Sequence, residues 1–376
     1  MQKHLLHAAA LLLLALPAAS APASTILIDL GSGRTILEEN PDAAQNAAAM
    51  APLMAVYTAL DLMRGNESRL TAEAPNPWAA NRPDAPKTVD AAAILEAALM
   101  NGSPEAVAAL PGLVSLTPEA FALRMNAAAA RLGMTSAHFS HPCGAAAPCI
   151  ASARDVARLA QALYDDFPLA RIWGAEQTME VPGLPSMRTS NPLLERSPAI
   201  TGVYFSPDEA PASGAALSEN PTSAGQRIRR LLAVELNAAD RRTLRERLAS
   251  LFLRAYRDYE TLEVYKEGAQ AARLPVFKGA AGEVGAVVDS ALYATLPRER
   301  MIAEGAGAFV IRVSYASPLI APIFKGERVG TLHVLVDGSE VASAPLSAAE
   351  DVPEGGFWTR FIDTLRIALE ADAPQN

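Results

Sequence analysis

The side chains of this 376-residue chain that could do chemistry fall into two groups. The first is His138, His141, Cys143 and Cys149, packed into one short stretch. Two imidazoles and two thiols at this spacing can ligate zinc. Alternatively, the two cysteines can pair and close a small loop. The second group is the lysines: Lys3, Lys87, Lys266, Lys278 and Lys325 are all there are. A serine nucleophile needs a nearby base to take its proton. Between residues 24 and 260 a Ser–Lys dyad would have to recruit Lys87, which lies in a loop and reads as a solvated surface residue. A Ser–His pair would have to recruit His138 or His141, which read as loop and packing residues. Residues 41–57 contain no Ser, Thr, Cys, Lys or His at all.

The elements that must position these groups follow from composition and pattern. Half the residues are hydrophobic and 19% are charged, an ordinary globular balance with length for about two domains. Net charge is −9 with no basic run, which disfavours nucleic-acid partners, since phosphate contacts need clustered Lys and Arg. Residues 1–23 read as a secretory signal peptide: a weakly basic start at Lys3 and His4, an apolar run over residues 5–16, then small residues. The apolar run is short for a membrane span. An exported chain meets an oxidising compartment, so a Cys143–Cys149 disulfide is the expectation and a metal ion is not.

Residues 26–39 read as a β-hairpin, with Ile26, Ile28 and Leu30 alternating and Gly31-Ser32-Gly33 at the turn. An apolar helix over residues 48–63 follows, then a Pro- and Asn-rich loop at 74–86. Further helices are expected over 89–100, from Ala106, from Pro118 with Thr117 as N-cap, and over 152–164. Residues 198–240 return to sheet with 229–236 as a core strand, residues 207–218 read as loop, and 243–259 form a helix. The arginines between Arg227 and Arg247, interleaved with acids, read as a solvated surface. From about Glu260 the pattern changes to short strands at 274–277, 284–288, 291–295, 308–313 and 328–336. The last element, residues 356–371, is an amphipathic helix with Phe357, Trp358, Phe361, Ile362, Leu365 and Leu369 in one stripe.

Several stretches carry a resemblance. Phe121-Ala122-Leu123-Arg124-Met125-Asn126, Leu132-Gly133-Met134, His138-Phe139, Ser152-Ala153-Arg154-Asp155 and the run from Ala321 to Leu332 stand in order along the chain. With the opening hairpin and helix, they resemble the serine-type D-Ala-D-Ala carboxypeptidases, the low-molecular-mass penicillin-binding proteins, from Ser24 almost to the end. The resemblance implies an α/β penicillin-binding/β-lactamase-like domain, an antiparallel sheet flanked by helices, followed by a small C-terminal β-sandwich domain. The expected division is signal peptide 1–23, carboxypeptidase-like domain 24–260, β domain 261–353 and terminal amphipathic helix 354–376. The resemblance also places the apolar stripe of that helix on the outer leaflet of the inner membrane and the protein in the periplasm. The aromatic pair at the helix start suits such an interface; the alternative is that the stripe packs on its own domain or on a partner.

The same resemblance assigns catalysis to three motifs, Ser-x-x-Lys, Ser-x-Asn and Lys-Thr-Gly, and none is intact. Nucleophile and base fall on Ala49 and Pro52. The ends of the second motif fall on Gly102 and Pro104; a one-residue slip would bring in Ser103, but with Glu105 at the far end. The third falls on Tyr204, Phe205 and Ser206, a phenol in place of the cation. A methyl group cannot attack a carbonyl and a proline ring cannot take a proton. Apolar filling of the old cleft by Ala49, Pro52, Tyr204 and Phe205 is expected. The sequence is thus identified as a catalytically inactive member, without cofactor. It would bind peptidoglycan or an active penicillin-binding protein as a scaffold. The competing expectation is an active carboxypeptidase with displaced catalytic residues.

Overall fold

The computed structural model describes residues 22–142, 149–181, 183–207, 210–221 and 228–371. The signal-peptide expectation therefore falls outside the described residues, as does Cys143. Cys149 is described: it is a buried free thiol with Sγ 3.8 Å from the His141 carbonyl oxygen. The expected Cys143–Cys149 disulfide is not part of the described structure.

Five antiparallel strands form the main sheet: β1 (Ser24–Asp29), β2 (Thr35–Glu39), β3 (Ile200–Phe205), β4 (Ala212–Pro221) and β5 (Ile228–Ala238), in the order β2-β1-β5-β4-β3. The sheet's first and last strands in sequence, β1 and β5, thus pair at its centre, with Ile26 opposite Val234, and β5 sets Ala233 opposite Ala216 of β4. Part of the stretch 207–218 that reads as loop is strand β4, whose run of small residues carries no strong alternation. Among the described residues six α-helices lie before β3: α1 (Ala51–Met63), α2 (Ala91–Asn101), α3 (Pro104–Leu113), α4 (Pro118–Arg131), α5 (Ala153–Asp166) and α6 (Pro168–Ala175). They build the larger core with one sheet face, through Leu53, Ile94, Phe121 and Val234. Helix α7 (Arg241–Asp258) covers the other face, where Leu244, Leu248 and Phe252 meet Leu231 and Ala216. Helices therefore flank the sheet on both sides.

Local chemistry starts these helices where the sequence indicates. Thr117 Oγ1 accepts from Ala120 N–H. Ser152 and Asp155 form a reciprocal capping box. Asp155 also accepts from Ser136 N–H at 3.2 Å, and Arg154 ion-pairs with Asp42 and Glu38. Asn126 bridges to both backbone groups of Phe139. The residues that carry the resemblance here hold the scaffold together.

From Tyr259 the chain is β-rich. Strands β6 (Tyr259–Tyr265) and β9 (Leu292–Pro297) pair with each other. Strands β7 (Gln270–Phe277), β8 (Glu283–Val288), β10 (Val310–Ser314), β11 (Leu319–Ile320), β12 (Arg328–Val336) and β13 (Ser339–Ala348) form a six-stranded sheet in the order β10-β12-β13-β8-β7-β11. Its core is Leu274, Val284, Leu332, Val334 and Leu346. Strands β6 and β13, and helix α8 (Arg298–Glu304), have no counterpart in the sequence reading. The last described element is α9 (Phe357–Ala371).

One arginine departs from the solvated surface expected of its neighbours. Arg229 is 6% exposed, and its Nε lies 2.7 Å from Oδ2 of Asp29, itself fully buried. The guanidinium also donates to the carbonyls of Ala255 and Tyr259, and Asp29 accepts from Thr261. Strand alternation turns Arg229 under α7, where pairing with Asp29 offsets part of its desolvation. Thr261 and Ser32 both meet Thr295, so this cluster ties the β1–β2 turn to the β-rich domain.

Candidate functional site

The positions that the resemblance assigns to the three motifs lie where the helical face meets β3 and β4. Ala49 sits on a single 3-10 turn, Ala48–Met50, just ahead of α1. That turn is held from both sides: Ala47 N–H donates to the Cys149 carbonyl and Ala48 N–H to Asn46 Oδ1. Neighbouring Gln45 accepts from Asn237 at the end of β5. Pro52 occupies the first turn of α1 and is buried. A first-turn N–H has no intrahelical partner, so proline there costs the helix nothing.

Gly102 caps the C-terminus of α2 in the left-handed region, with φ +64° and its N–H on the Ala98 carbonyl. A side chain at this position has nowhere to go. A Cβ on Gly102 would stand 2.3 Å from the Tyr204 hydroxyl oxygen and 3.2 Å from two of its ring carbons. Tyr204, 1% exposed, belongs to the same core as α1 and α2. The positions that the resemblance assigns to the second and third motifs are therefore in direct contact, and the phenol occupies the volume a side chain at Gly102 would need. The contact is pinned from behind. Ser190 N–H donates to the Met100 carbonyl, while its hydroxyl sits 2.6 Å from the Phe205 carbonyl oxygen.

Phe205 corrects an expectation. It does not join the filling of the cleft but packs on the opposite sheet face, with Leu244 and Ala216. Successive strand residues point to opposite faces, so Tyr204 and Phe205 cannot fill the same space. Ser206 is buried just past β3, its N–H on the Ser213 carbonyl. Pro104 opens α3. Ser103, next to Gly102, is its N-cap: Oγ accepts from Ala106 N–H and Trp78 Nε1 and lies 2.9 Å from Glu105 Oε2. Three such contacts commit the hydroxyl to structure.

The C-terminal helix forms a second candidate surface. Phe357 and Trp358 are 68% and 72% exposed, and Phe361, Ile362 and Leu365 are exposed beside them. The side chain of Leu369 lies outside the described residues. Phe357, Trp358 and Phe361 contact one another edge-on and stacked. The helix is fastened to the β-rich domain by its polar side: buried Asp363 accepts from Lys278 N–H at 2.6 Å. Anchoring by Asp363 leaves the apolar stripe facing outward.

Residues 14–203 match the family model described as D-alanyl-D-alanine carboxypeptidase, and residues 259–354 match that of the penicillin-binding protein 5 C-terminal domain. The chain is 26% identical over 361 residues to the D-alanyl-D-alanine carboxypeptidase DacA of Escherichia coli strain K12, covering 92% of this chain and 87% of that protein. It is likewise 26% identical over 355 residues to DacC of the same strain, covering 90% and 86%. Among solved structures, penicillin binding protein 5 from Haemophilus influenzae superposes with a TM-score of 0.74 at 20% identity, over 88% of this chain and 97% of that one. The peptidoglycan synthesis regulatory factor PBP3 from Streptococcus pneumoniae gives 0.69 at 17% identity, over 88% and 98%.

Proposed function

The chain belongs to the D-alanyl-D-alanine carboxypeptidase family, and from that premise we propose that it is an inactive member working as a scaffold in the cell envelope. The observation that carries this reading is the contact between Tyr204 and Gly102. Acyl transfer at this cleft needs a nucleophile, a base, donors for the oxyanion and a cation for the substrate's carboxylate. Ala49 and Pro52 supply neither of the first two. Tyr204 replaces the cation and fills the space in front of α2 with a ring. A terminal D-Ala carboxylate would meet a phenol at the place of an ammonium.

Such a protein keeps the family's shape while the surface around its cleft takes up a protein or glycan-peptide partner: peptidoglycan, or an active penicillin-binding protein. It would reside in the periplasm, with the outward stripe of α9 seated in the inner membrane. Phe357, Trp358 and Phe361 suit the headgroup level of a bilayer. Among the described residues no single helix is long and apolar enough to cross a membrane, so the contact would be peripheral.

Two assays test the reading. Purified protein incubated with a fluorescent penicillin is expected to remain unlabelled at the old cleft, and a pentapeptide ending in D-Ala-D-Ala to release no D-Ala above blank. Either release of D-Ala, or penicillin labelling in the segment 24–258, would overturn it. For the membrane contact, the full mature chain should co-sediment with vesicles containing phosphatidylglycerol. A chain ending at residue 356 should stay in the supernatant; equal sedimentation of the two would remove α9 from the role.

A further inference from the structure

We propose that the β-rich domain carries a second, independent candidate active site, an esterase-type triad formed by Ser314, His333 and Glu340. The three residues sit on adjacent strands β10, β12 and β13. Ser314 Oγ lies 2.7 Å from His333 Nε2, and His333 Nδ1 lies 2.7 Å from Glu340 Oε2. The register brings them together. Ser314 pairs with Thr331, and Arg312 and Ser343 flank His333 on either side. Ser314 thus stands diagonally across from the imidazole, on the sheet face turned away from the Leu332–Val334 core.

Hydrogen-bond chemistry assigns the roles. Hydrogen bonds from Ser343 and from His333 lower the Glu340 carboxyl below its usual range, so it is ionised and only accepts. His333 Nδ1 must then carry the proton, which leaves Nε2 of the neutral ring as acceptor for the Ser314 hydroxyl. That is the arrangement of nucleophile, base and orienting carboxylate that activates a serine. His333 is partly sheltered, its side chain 23% exposed, yet Ser314 opens to solvent.

An open groove of about 390 Å³ runs beside Ser314, lined by Tyr315, Leu319, Arg328, Gly330 and Thr331. Arg328 donates to Thr331 Oγ1 at 3.2 Å, and no carboxylate pairs with it among the described residues. The groove therefore offers a guanidinium for an anion and an apolar wall beside a nucleophile. The substrate class it fits is a small ester bearing a carboxylate. In the first step Ser314 Oγ bonds to the ester carbonyl carbon, its proton passes to His333 Nε2, and the acyl–oxygen bond breaks with that proton going to the leaving alcohol. Water then attacks the acyl-serine, again giving a proton to His333, which returns it to Ser314 as the acid departs. The sum is ester plus water to acid plus alcohol.

The test uses the full mature chain and a fluorophosphonate probe, with digestion and mass spectrometry to locate the label. Modification is expected on the tryptic peptide 313–325, which contains Ser314. Penicillin reports on the old cleft, so the two sites fail or succeed separately. Ser314→Ala should abolish that label and His333→Gln should slow it about 100-fold or more, the low end of what a general base contributes. Melting curves of these surface variants should match the parent. Glu340→Gln should slow the label without lowering the melting temperature, and Glu340→Asp should regain most of that rate; an unslowed Glu340→Gln removes the carboxylate from the triad. p-Nitrophenyl hemisuccinate should be cleaved faster than p-nitrophenyl acetate, and Arg328→Ala should erase the difference. No label on the 313–325 peptide, or a label indifferent to His333→Gln, overturns the site and leaves a cross-strand polar ladder. Equal rates for the two esters overturn the anionic substrate.

Discussion

The contact between Gly102 and Tyr204 can be tested by a double-mutant cycle. Gly102→Ala adds one methyl group at φ +64°, where an L side chain costs about 1–2 kcal/mol. The same methyl would stand 2.3 Å from the Tyr204 hydroxyl oxygen, deep inside van der Waals contact. Tyr204 is fully packed between α2 and the sheet, so it cannot swing away, and overpacking of this kind costs a further ~1–3 kcal/mol. In the parent background the substitution should therefore cost about 2–5 kcal/mol. Tyr204→Phe removes the clashing oxygen and leaves ring carbons at 3.2 Å, which a shift of a few tenths of an ångström relieves. In that background only the backbone term, about 1–2 kcal/mol, should remain. The expected coupling is the difference, about 1–3 kcal/mol. Urea denaturation of the four proteins at one pH, followed by circular dichroism, measures it. If Gly102→Ala costs the same in both backgrounds to within about 0.5 kcal/mol, the two side chains are independent and Tyr204 does not occupy the second-motif volume.

Three further outcomes follow from other parts of the structure. Ala49→Ser combined with Pro52→Lys should not restore penicillin labelling while Tyr204 remains, since the ring still blocks the cleft; a labelled double variant would refute the blockade. Glu235, fully buried beneath Arg247, is pushed up to about 7, chiefly by desolvation, with Arg247 opposing. An unfolded Glu titrates near ~4.3. Between these values the folded protein keeps a proton the unfolded chain has lost, so stability should fall from about pH 4.5 to 7, by on the order of 3 kcal/mol, and then level. Glu235→Gln should flatten that fall in denaturation curves at pH 5 and 8. Arg229→Met leaves Asp29 buried without its cation and should cost about 3–5 kcal/mol in urea denaturation; a cost below about 1 kcal/mol would show that Thr261 and the N–H groups of Gly31 and Ser32, which also donate to Asp29, suffice.

Much of the scaffold was legible in the sequence because its signals are local. Thr117 and Ser152 mark helix starts through their own side chains, and the stripe on α9 is set by the helical repeat. Strands β6 and β13 were not legible. Tyr259–Tyr265 continues a helix-like run without a breaker, and Ser339–Ala348 is rich in Ser and Ala, which carry little strand signal. That Ala49 and Pro52 carry neither a hydroxyl nor an amine is likewise a matter of residue type alone.

The order of residues states which chemical groups this protein possesses and where its helices begin. Which of those groups meet is settled by packing. Tyr204 rather than Phe205 packs against Gly102 among the helices because strand alternation turns one toward them and the other under α7. Gly102 is needed because that ring arrives from a distant strand. Arg229 is buried, among arginines that read as surface, because Asp29 sits beside it on β1. Ser314, His333 and Glu340 form a chain of hydrogen bonds only because three strands align in one register. Residue type and local spacing act over a few positions along the chain, whereas these contacts depend on sheet register and packing, which no short stretch encodes.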